Sequence, residues 1–239
     1  MIAELWPGGP QLKDKNDVFP LGMDSVLLAD FAKRVKTGVF ERAIDLGCGS
    51  GVISLLLAWD NEKLHVDGVE IQPVAARLAR ENAGLNSLTA RIDVIQGDLR
   101  HYRDLFKPGT YDLVISNPPY QTPGSGKRSV TSAITIARTE VLCTLEDICK
   151  AARFLTRWGG SLVFAYRPER LADAFRITTA NGFEPKRVRF VHHTQNSPPS
   201  LVLIENKLGA KPSLKVEPPL ILKNEDGSDS DETKAIYRL

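Results

Sequence analysis

The chain has 239 residues, of which 42% are hydrophobic and 25% are charged, and its formal net charge is +2. This composition is typical of a soluble globular protein, and the length suits one domain with a full three-layer core. There is no apolar run of membrane-spanning length and no signal-peptide pattern at the N-terminus. The three cysteines form no C-x-x-C pair, which indicates neither a disulfide framework nor a zinc site and favours a reducing cytoplasm.

Secondary-structure patterns alternate along most of the chain. Residues 1–20 are polar and rich in turn residues, which predicts an irregular or hairpin entry. Helical periodicity and end signals predict helices at 24–38, 52–59, 73–83, 134–155 and 168–180. Short apolar runs predict strands at 42–46, 64–70, 92–96, 111–117, 161–166, 186–191 and 201–205.

This alternation predicts an α/β fold with a mostly parallel, seven-stranded sheet covered by helices on both faces. No helix separates the last two strands, so we expect them to pair as an antiparallel hairpin at one edge. One domain is predicted for 1–223, with a lead segment and helix in 1–40, a core in 41–206 and an extension in 207–223. The segment 224–239 opens on acidic and serine residues without apolar side chains, and we predict a disordered tail.

A rigid polar motif follows the fourth predicted strand. Asn117, Pro118, Pro119 and Tyr120 stand where the chain leaves the sheet, at the edge where open α/β sheets bind ligands. Two consecutive prolines fix φ and supply no N–H, so the carbonyl groups there are rigid acceptors. Asn117 and the Pro118 carbonyl can each accept one hydrogen of an exocyclic amine, and Tyr120 can stack on its ring. The motif taken alone is equally consistent with a rigid turn.

A glycine-rich turn joins the first core strand to its helix. The run from Asp45 to Gly51, Asp-Leu-Gly-Cys-Gly-Ser-Gly, lets the backbone approach a ligand closely, but it lacks the third glycine of the dinucleotide fingerprint and the lysine of a P-loop. Glu70 ends the second strand, where a carboxylate can bind two ribose hydroxyls. Asp98 follows the third strand and can accept from an adenine amine. Three acids at consecutive strand ends predict a nucleoside site with no phosphate requirement.

These features together resemble the class I S-adenosylmethionine-dependent methyltransferases over about residues 18–223. The Asn-Pro-Pro-Tyr motif resembles the branch that methylates planar amino groups. Further strings resemble the bacterial valine-tRNA adenine-N(6)-methyltransferase family, which modifies the adenine beside the anticodon; they lie at 19–29, 136–140, 166–171 and 218–221.

The resemblance implies a Rossmann-like methyltransferase fold, S-adenosylmethionine as cofactor, no metal, and a structured RNA as partner, with tRNA favoured. Catalysis would involve Asn117, Pro118, Pro119 and Tyr120. The cofactor would contact residues near the carboxyl ends of the strands and at the start of the first helix: Gly22, Asp24, Asp45, Gly47, Cys48, Gly49, Gly51, Glu70, Ile71, Gly97, Asp98, Leu99 and Asn117.

Basic side chains provide candidate RNA contacts. Lys127 and Arg128 lie in a glycine- and serine-rich loop directly after Tyr120, which favours a mobile, substrate-ordered loop. Lys186, Arg187 and Arg189 could bind phosphate, although a solvated edge-strand face explains them equally well. We expect a monomer.

Three other functions remain open from the sequence. A protein glutamine methyltransferase uses a similar motif, although only about 40 residues precede the glycine loop, which is short for the helical substrate domain of those proteins. A ribosomal RNA guanine-amine methyltransferase is also compatible. An RNA-binding assembly factor on the same fold is a non-enzymatic alternative, which the presence of Asn117, Tyr120 and Glu70 disfavours.

Overall fold

The computed structural model describes residues 2–13, 22–35, 40–118 and 143–239. Its helices are α1 Met23–Lys33, α2 Val52–Asp60, α3 Pro73–Leu85, α4 Tyr102–Leu105, α5 Leu145–Leu155, α6 Leu171–Ala180 and α7 Asp231–Tyr237. Its strands are β1 Ile2–Glu4, β2 Gln11–Lys13, β3 Arg42–Leu46, β4 His65–Glu70, β5 Ile92–Gln96, β6 Tyr111–Ser116, β7 Thr156–Tyr166, β8 Phe183–His192, β9 Pro199–Leu208, β10 Lys215–Val216 and β11 Leu220–Ile221. No helix in these ranges is long and apolar enough to cross a membrane.

The central sheet has nine strands in the described residues, in the order β10-β8-β9-β7-β6-β3-β4-β5, with β11 also paired to β8. The strands from β7 to β5 in this order are mutually parallel, whereas β9 is antiparallel to both β7 and β8. The predicted count of seven strands is therefore too low. The two additional strands have two residues each, too short for a periodic pattern, and they come from the predicted C-terminal extension.

Helices cover both faces of this sheet because side chains alternate along each strand. Ala43 and Leu113 belong to the apolar core on the face of α1, α2 and α3, whereas their neighbours Ile44 and Val114 belong to the core on the face of α5 and α6. Strands buried on both faces read as continuous apolar runs, which is how β3 and β6 appear in the sequence. The α/β class predicted from the alternation of elements is confirmed.

Several predicted boundaries shift. α1 begins at Met23 after Gly22, one residue before the predicted start, so Asp24 lies in the first helical turn. The continuous helix predicted for 134–155 is wrong at Thr144, which has extended backbone and forms a reciprocal capping box with Asp147; residues 134–142 lie outside the described residues. β7 begins at Thr156, five residues before the predicted strand, and continues through Gly159 and Gly160.

The acidic C-terminal segment is ordered, so the prediction of a disordered tail is wrong. Ser230 caps α7, and the carboxylate of Glu232 binds Arg189 through two hydrogen bonds of 2.7 Å each. Arg238 stacks on the Trp6 ring at 4.5 Å and binds Asp60 at 2.5 Å. Composition predicted disorder because residues 224–232 lack apolar side chains, yet Glu232 and Arg238 both form ion pairs with the body of the protein.

We expect Glu232→Ala to destabilise the fold by about 1–3 kcal/mol, because Arg189 is buried and loses a bidentate charged acceptor. The matched control, Glu225→Ala, changes an exposed acid of the same segment and should cost less than about 0.5 kcal/mol. Urea unfolding followed by circular dichroism at pH 7 measures both.

The difference between these variants should shrink in acid. The hydrogen bond from Arg189 lowers the pKa of Glu232, so its stabilisation is present above the ordinary glutamate pKa and is lost as the pH falls through the lowered value. Equal unfolding midpoints for the two variants at pH 7 would contradict a stabilising role for this ion pair.

Candidate active site

Four parallel strand ends bring the predicted site residues to one edge of the sheet. The neighbours β6, β3, β4 and β5 run in the same direction, so their carboxyl ends lie side by side. Asp45 lies near the end of β3, Glu70 ends β4, Asp98 follows β5 and Asn117 follows β6. The order of strands reverses between β3 and β6, and such a switch point is where open α/β sheets form a crevice for ligands.

The glycine loop is fixed to the end of β4 by backbone hydrogen bonds. Gly47 N and Cys48 N both donate to the Val69 carbonyl, at 2.9 and 3.1 Å. Gly51 has φ of +83°, and a Cβ there would lie 3.0 Å from the Ala79 Cβ on α3. A side chain at position 51 would therefore force α3 away from the loop as well as strain the backbone.

Glu70 is a structural part of this loop as well as a candidate ligand. Its side chain is buried, and it accepts from Gly49 N at 2.9 Å and from Gln72 N at 2.8 Å, one bond to each oxygen. Each carboxylate oxygen keeps a second lone pair, so the predicted contact with two ribose hydroxyls remains possible. Burial raises the pKa of Glu70, and the backbone N–H donors oppose that rise.

Asp45 is fully buried beneath the loop. Its Oδ2 accepts from Ser54 Oγ at 3.0 Å, while no donor from the described residues reaches its Oδ1. Burial raises the pKa of Asp45 to about 7, the Ser54 hydrogen bond opposes this, and the charge of Glu70 adds to it. Ser54 was not predicted from the sequence; the signal was a hydroxyl within the otherwise apolar run of α2.

Asn117 presents one unpaired oxygen. Its Nδ2 donates to Ser25 Oγ in the first turn of α1 at 3.2 Å, and its Oδ1 is buried without a donor from the described residues. Ser116 Oγ donates to the Leu46 carbonyl at 2.7 Å, which ties the end of β6 to that of β3.

Pro118 is buried, whereas Pro119, Tyr120, Lys127 and Arg128 lie outside the described residues.

The remaining predicted cofactor contacts differ in how available they are. Arg100 binds both oxygens of Asp98 from its Nε, at 3.0 and 2.9 Å, and this contact lowers the pKa of Asp98. A bond from Asp98 to an adenine amine would therefore compete with Arg100.

Ile71 is 39% exposed beside Glu70, a position open to a ring. Gly97 and Leu99, which flank Asp98, are half-buried, as are Gly22 and Asp24 at the start of α1.

The side chain of Cys48 packs against β4. A Cβ on Gly68 of β4 would lie 2.9 Å from its Sγ, so the side chain fills the space that this glycine leaves. Burial raises the pKa of the thiol, which therefore stays protonated.

Two of the predicted RNA contacts are instead parts of the fold. Arg187 and Arg189 are both buried on β8, where Arg187 binds Glu205 at 2.7 Å and Arg189 binds Glu232. The prediction that they contact RNA is wrong, because β10, β11 and α7 cover the strand that was expected to be a solvated edge. Lys186 lies near the amino end of β8, away from the predicted site, and donates to the Lys211 carbonyl at 2.9 Å.

The residues of this edge fit S-adenosylmethionine, which carries a sulfonium, an ammonium and two ribose hydroxyls. Side chains at Gly47 and Gly49 would point into open space, with no atom within 4 Å of an added Cβ. Asp45 has an oxygen without a donor, and Glu70 keeps two lone pairs. Burial raises the pKa values of Asp45 and Glu70 because it destabilises their ionised forms. A bound cation would stabilise the ionised forms again, so the two acids favour a cationic ligand.

Comparison with known proteins agrees with this geometry. The family model of the methyltransferase small domain matches residues 22–167. A protein of Tolumonas auensis named tRNA1(Val) (adenine(37)-N6)-methyltransferase is 32% identical over 218 residues, which cover 90% of this chain and 87% of that protein. A protein of the same name from Aliivibrio salmonicida is 29% identical over 212 residues, which cover 89% and 86%.

Solved structures share the fold. A crystal structure described as a predicted O-methyltransferase from Agrobacterium tumefaciens superposes with a TM-score of 0.72 at 22% identity, covering 90% of this chain and 96% of that one. This likeness confirms the Rossmann-like methyltransferase fold expected from the sequence. Together with the family match, it leads to one conclusion: the chain belongs to the methyltransferase small domain family and is a class I methyltransferase that uses S-adenosylmethionine.

Proposed function

We propose that this protein methylates the exocyclic amine of an adenine in tRNA, and that the target is adenine 37 of a valine tRNA, as the names of its relatives state for those proteins. The observation that carries the proposal is the buried Oδ1 of Asn117, an acceptor at the strand edge that no donor from the described residues satisfies. An exocyclic amine is a donor that would satisfy it, because it offers two N–H groups in one plane.

Asn117 would act on the amine by accepting one of its hydrogens. The lone pair of an aromatic amine is delocalised into the ring, which makes the nitrogen a weak nucleophile. A fixed acceptor on each N–H favours a pyramidal nitrogen and stabilises the positive charge that develops on it. Asn117 Oδ1 supplies one acceptor, and we assign the second to the carbonyl of Pro118. Bound S-adenosylmethionine supplies an already activated methyl group.

Asp45, Glu70 and the glycine loop would orient the cofactor. Their contribution is positional, and orientation of two reactants is worth up to about 7–11 kcal/mol in favourable intramolecular models. The packing around Asp45 excludes bulk water from its carboxylate, which is fully buried. Strong electrostatic effects in such water-poor sites depend on groups that are held in place before the reaction.

The target adenine must be unstacked to reach Asn117, because its amine is otherwise engaged or covered. We assign to Tyr120 the stacking contact with the extracted base, and to Lys127 and Arg128 contacts with the RNA backbone. This assignment follows from the position of Tyr120 two residues after Pro118, and of Lys127 and Arg128 in the glycine- and serine-rich stretch that follows Tyr120.

The first prediction concerns Asn117. Asn117→Ala should fold and bind S-adenosylmethionine with an affinity within about threefold of wild type, but lower kcat on tRNA by about 10²-fold or more. Asn117→Asp should retain more activity than alanine, because a carboxylate still accepts from an amine. Nucleoside mass spectrometry of the tRNA product identifies the methylated base.

The matched control is Asn61→Ala, which removes an amide at the C-terminal end of α2, on the opposite edge of the sheet. It should leave kcat within twofold of wild type. Wild-type turnover by Asn117→Ala would overturn the proposed role. Methylation of guanine, or of a glutamine side chain in place of tRNA, would overturn the proposed substrate.

The second prediction concerns pH. In the free protein the pKa of Asp45 is raised to about 7, and a cationic ligand favours its ionised form. The affinity for S-adenosylmethionine should therefore fall as the pH drops from 7 to 5.5, by up to about tenfold per unit below the pKa. Binding at pH 7 should also release part of a proton from the protein.

Calorimetry in two buffers of different ionisation enthalpy measures both effects. Asp45→Asn should bind more weakly and lose the pH dependence, since an amide does not titrate in this range. An affinity that stays constant from pH 5.5 to 7, with no proton release, would show that Asp45 is not the group that meets the cationic part of the cofactor.

The third prediction concerns RNA affinity. Replacing Lys127 and Arg128 with alanine should weaken tRNA binding and lower the slope of log K against log salt by about one to two, with cofactor affinity unchanged. Lys186→Ala is the control, because Lys186 lies near the opposite edge of the sheet. An unchanged salt slope in the double variant would remove this loop from the RNA-binding surface.

A further inference from the structure

The hydroxyl of Ser25 accepts a hydrogen bond from the side-chain amide nitrogen of Asn117. The two residues are 92 positions apart in the sequence, yet Asn117 Nδ2 donates to Ser25 Oγ at 3.2 Å. Ser25 lies in the first turn of α1, and its backbone N–H is already used, donating to the Gly22 carbonyl at 3.1 Å. The hydroxyl is thus the group through which the start of α1 reaches the end of β6.

An asparagine amide needs such a contact to present a defined acceptor. Its last torsion is soft and roughly two-fold, so a free amide samples orientations in which either oxygen or nitrogen faces forward. A target amine is a donor, and it pairs with Oδ1 but not with the NH₂ group. Because Nδ2 is bonded to Ser25, the amide is held in one orientation and Oδ1 lies on the side away from Ser25. Oδ1 is also the atom that has no donor from the described residues.

We propose that Ser25 is a positioning residue for methyl transfer, which fixes the Asn117 amide so that Oδ1 faces the amine of the target base. This inference rests on the proposed function, because it assigns Ser25 a role through Asn117. The contact of Ser25 is with Asn117. The resemblance to methyltransferases instead placed the neighbouring residues Gly22 and Asp24 in the cofactor site.

A matched pair of variants isolates the hydroxyl. Ser25→Thr and Ser25→Val introduce β-branched side chains of nearly the same shape, with the same cost to the first turn of α1, and differ in whether a hydroxyl is present. We expect kcat on tRNA to be about fivefold to tenfold lower for the valine variant than for the threonine variant, the effect of one neutral hydrogen bond. The Kd for S-adenosylmethionine should agree within twofold between the two.

A second measurement does not depend on turnover. The side-chain amide of Asn117 gives a pair of signals in a ¹⁵N-correlation spectrum, which Asn117→Asp identifies by removing them. These signals should be dispersed and protected from exchange in the wild type and in Ser25→Thr, and should move towards free-amide positions in Ser25→Val. A role limited to packing α1 would leave them unchanged.

The outcomes separate the two proposals. Equal kcat for the threonine and valine variants, or unchanged amide signals, would overturn the role of Ser25 while leaving that of Asn117 intact. A loss in the valine variant that appears entirely as weaker cofactor binding would also overturn it, since Ser25 would then be a cofactor ligand. Wild-type turnover by Asn117→Ala would overturn the proposed function, and the role of Ser25 with it.

Discussion

The carboxylate of Glu70 is the contact on which the geometry of the site depends. One of its oxygens accepts from Gly49 in the loop after β3, and the other accepts from Gln72 at the start of α3. Its backbone carbonyl accepts from Gly97 after β5 at 3.0 Å. One residue thus joins three consecutive strand ends, so the glycine loop, the start of α3 and the end of β5 are set together. This explains why an acid is placed here although burial raises its pKa.

Two of the polar atoms that the fold itself leaves unsatisfied lie at the site. Among the described residues, Asp45 and Asn117 each bury one oxygen without a donor, and both lie at the carboxyl edge of the sheet. Each such atom costs about 1–3 kcal/mol relative to a paired one. Ligands that supply a cation to Asp45 and an N–H to Asn117 would recover this cost on binding.

Much of the fold and the positions of the three acids could be predicted because they depend on local patterns. The strand predicted to end at Glu70 ends there, and the strand predicted to end at Asn117 ends one residue earlier, at Ser116, since alternation of apolar runs and turn residues determines where a strand stops. The partners of these residues could not be predicted. Ser25 and Asn117 meet through loop and helix-end geometry, which carries no periodic signal. Pairing of side chains far apart in the chain depends on tertiary packing that a single sequence does not encode in readable form.

The error at β8 has a specific physical cause, and it bears on how the protein meets RNA. In the sequence, Arg187 and Arg189 resemble solvated basic residues because the strands that cover them, β10 and β11, have only two residues each. The acid that binds Arg189 is also hard to recognise, because it lies in a segment whose composition is typical of disorder. The fold thus uses basic and acidic residues to close the edge of its own sheet. Burying guanidinium groups is tolerable only with paired carboxylates, and both arginines have them. Their charge is neutralised inside the protein, so the RNA contacts that we propose at the carboxyl edge must come from other basic residues, and the first ones after Asn117 in the chain are Lys127 and Arg128.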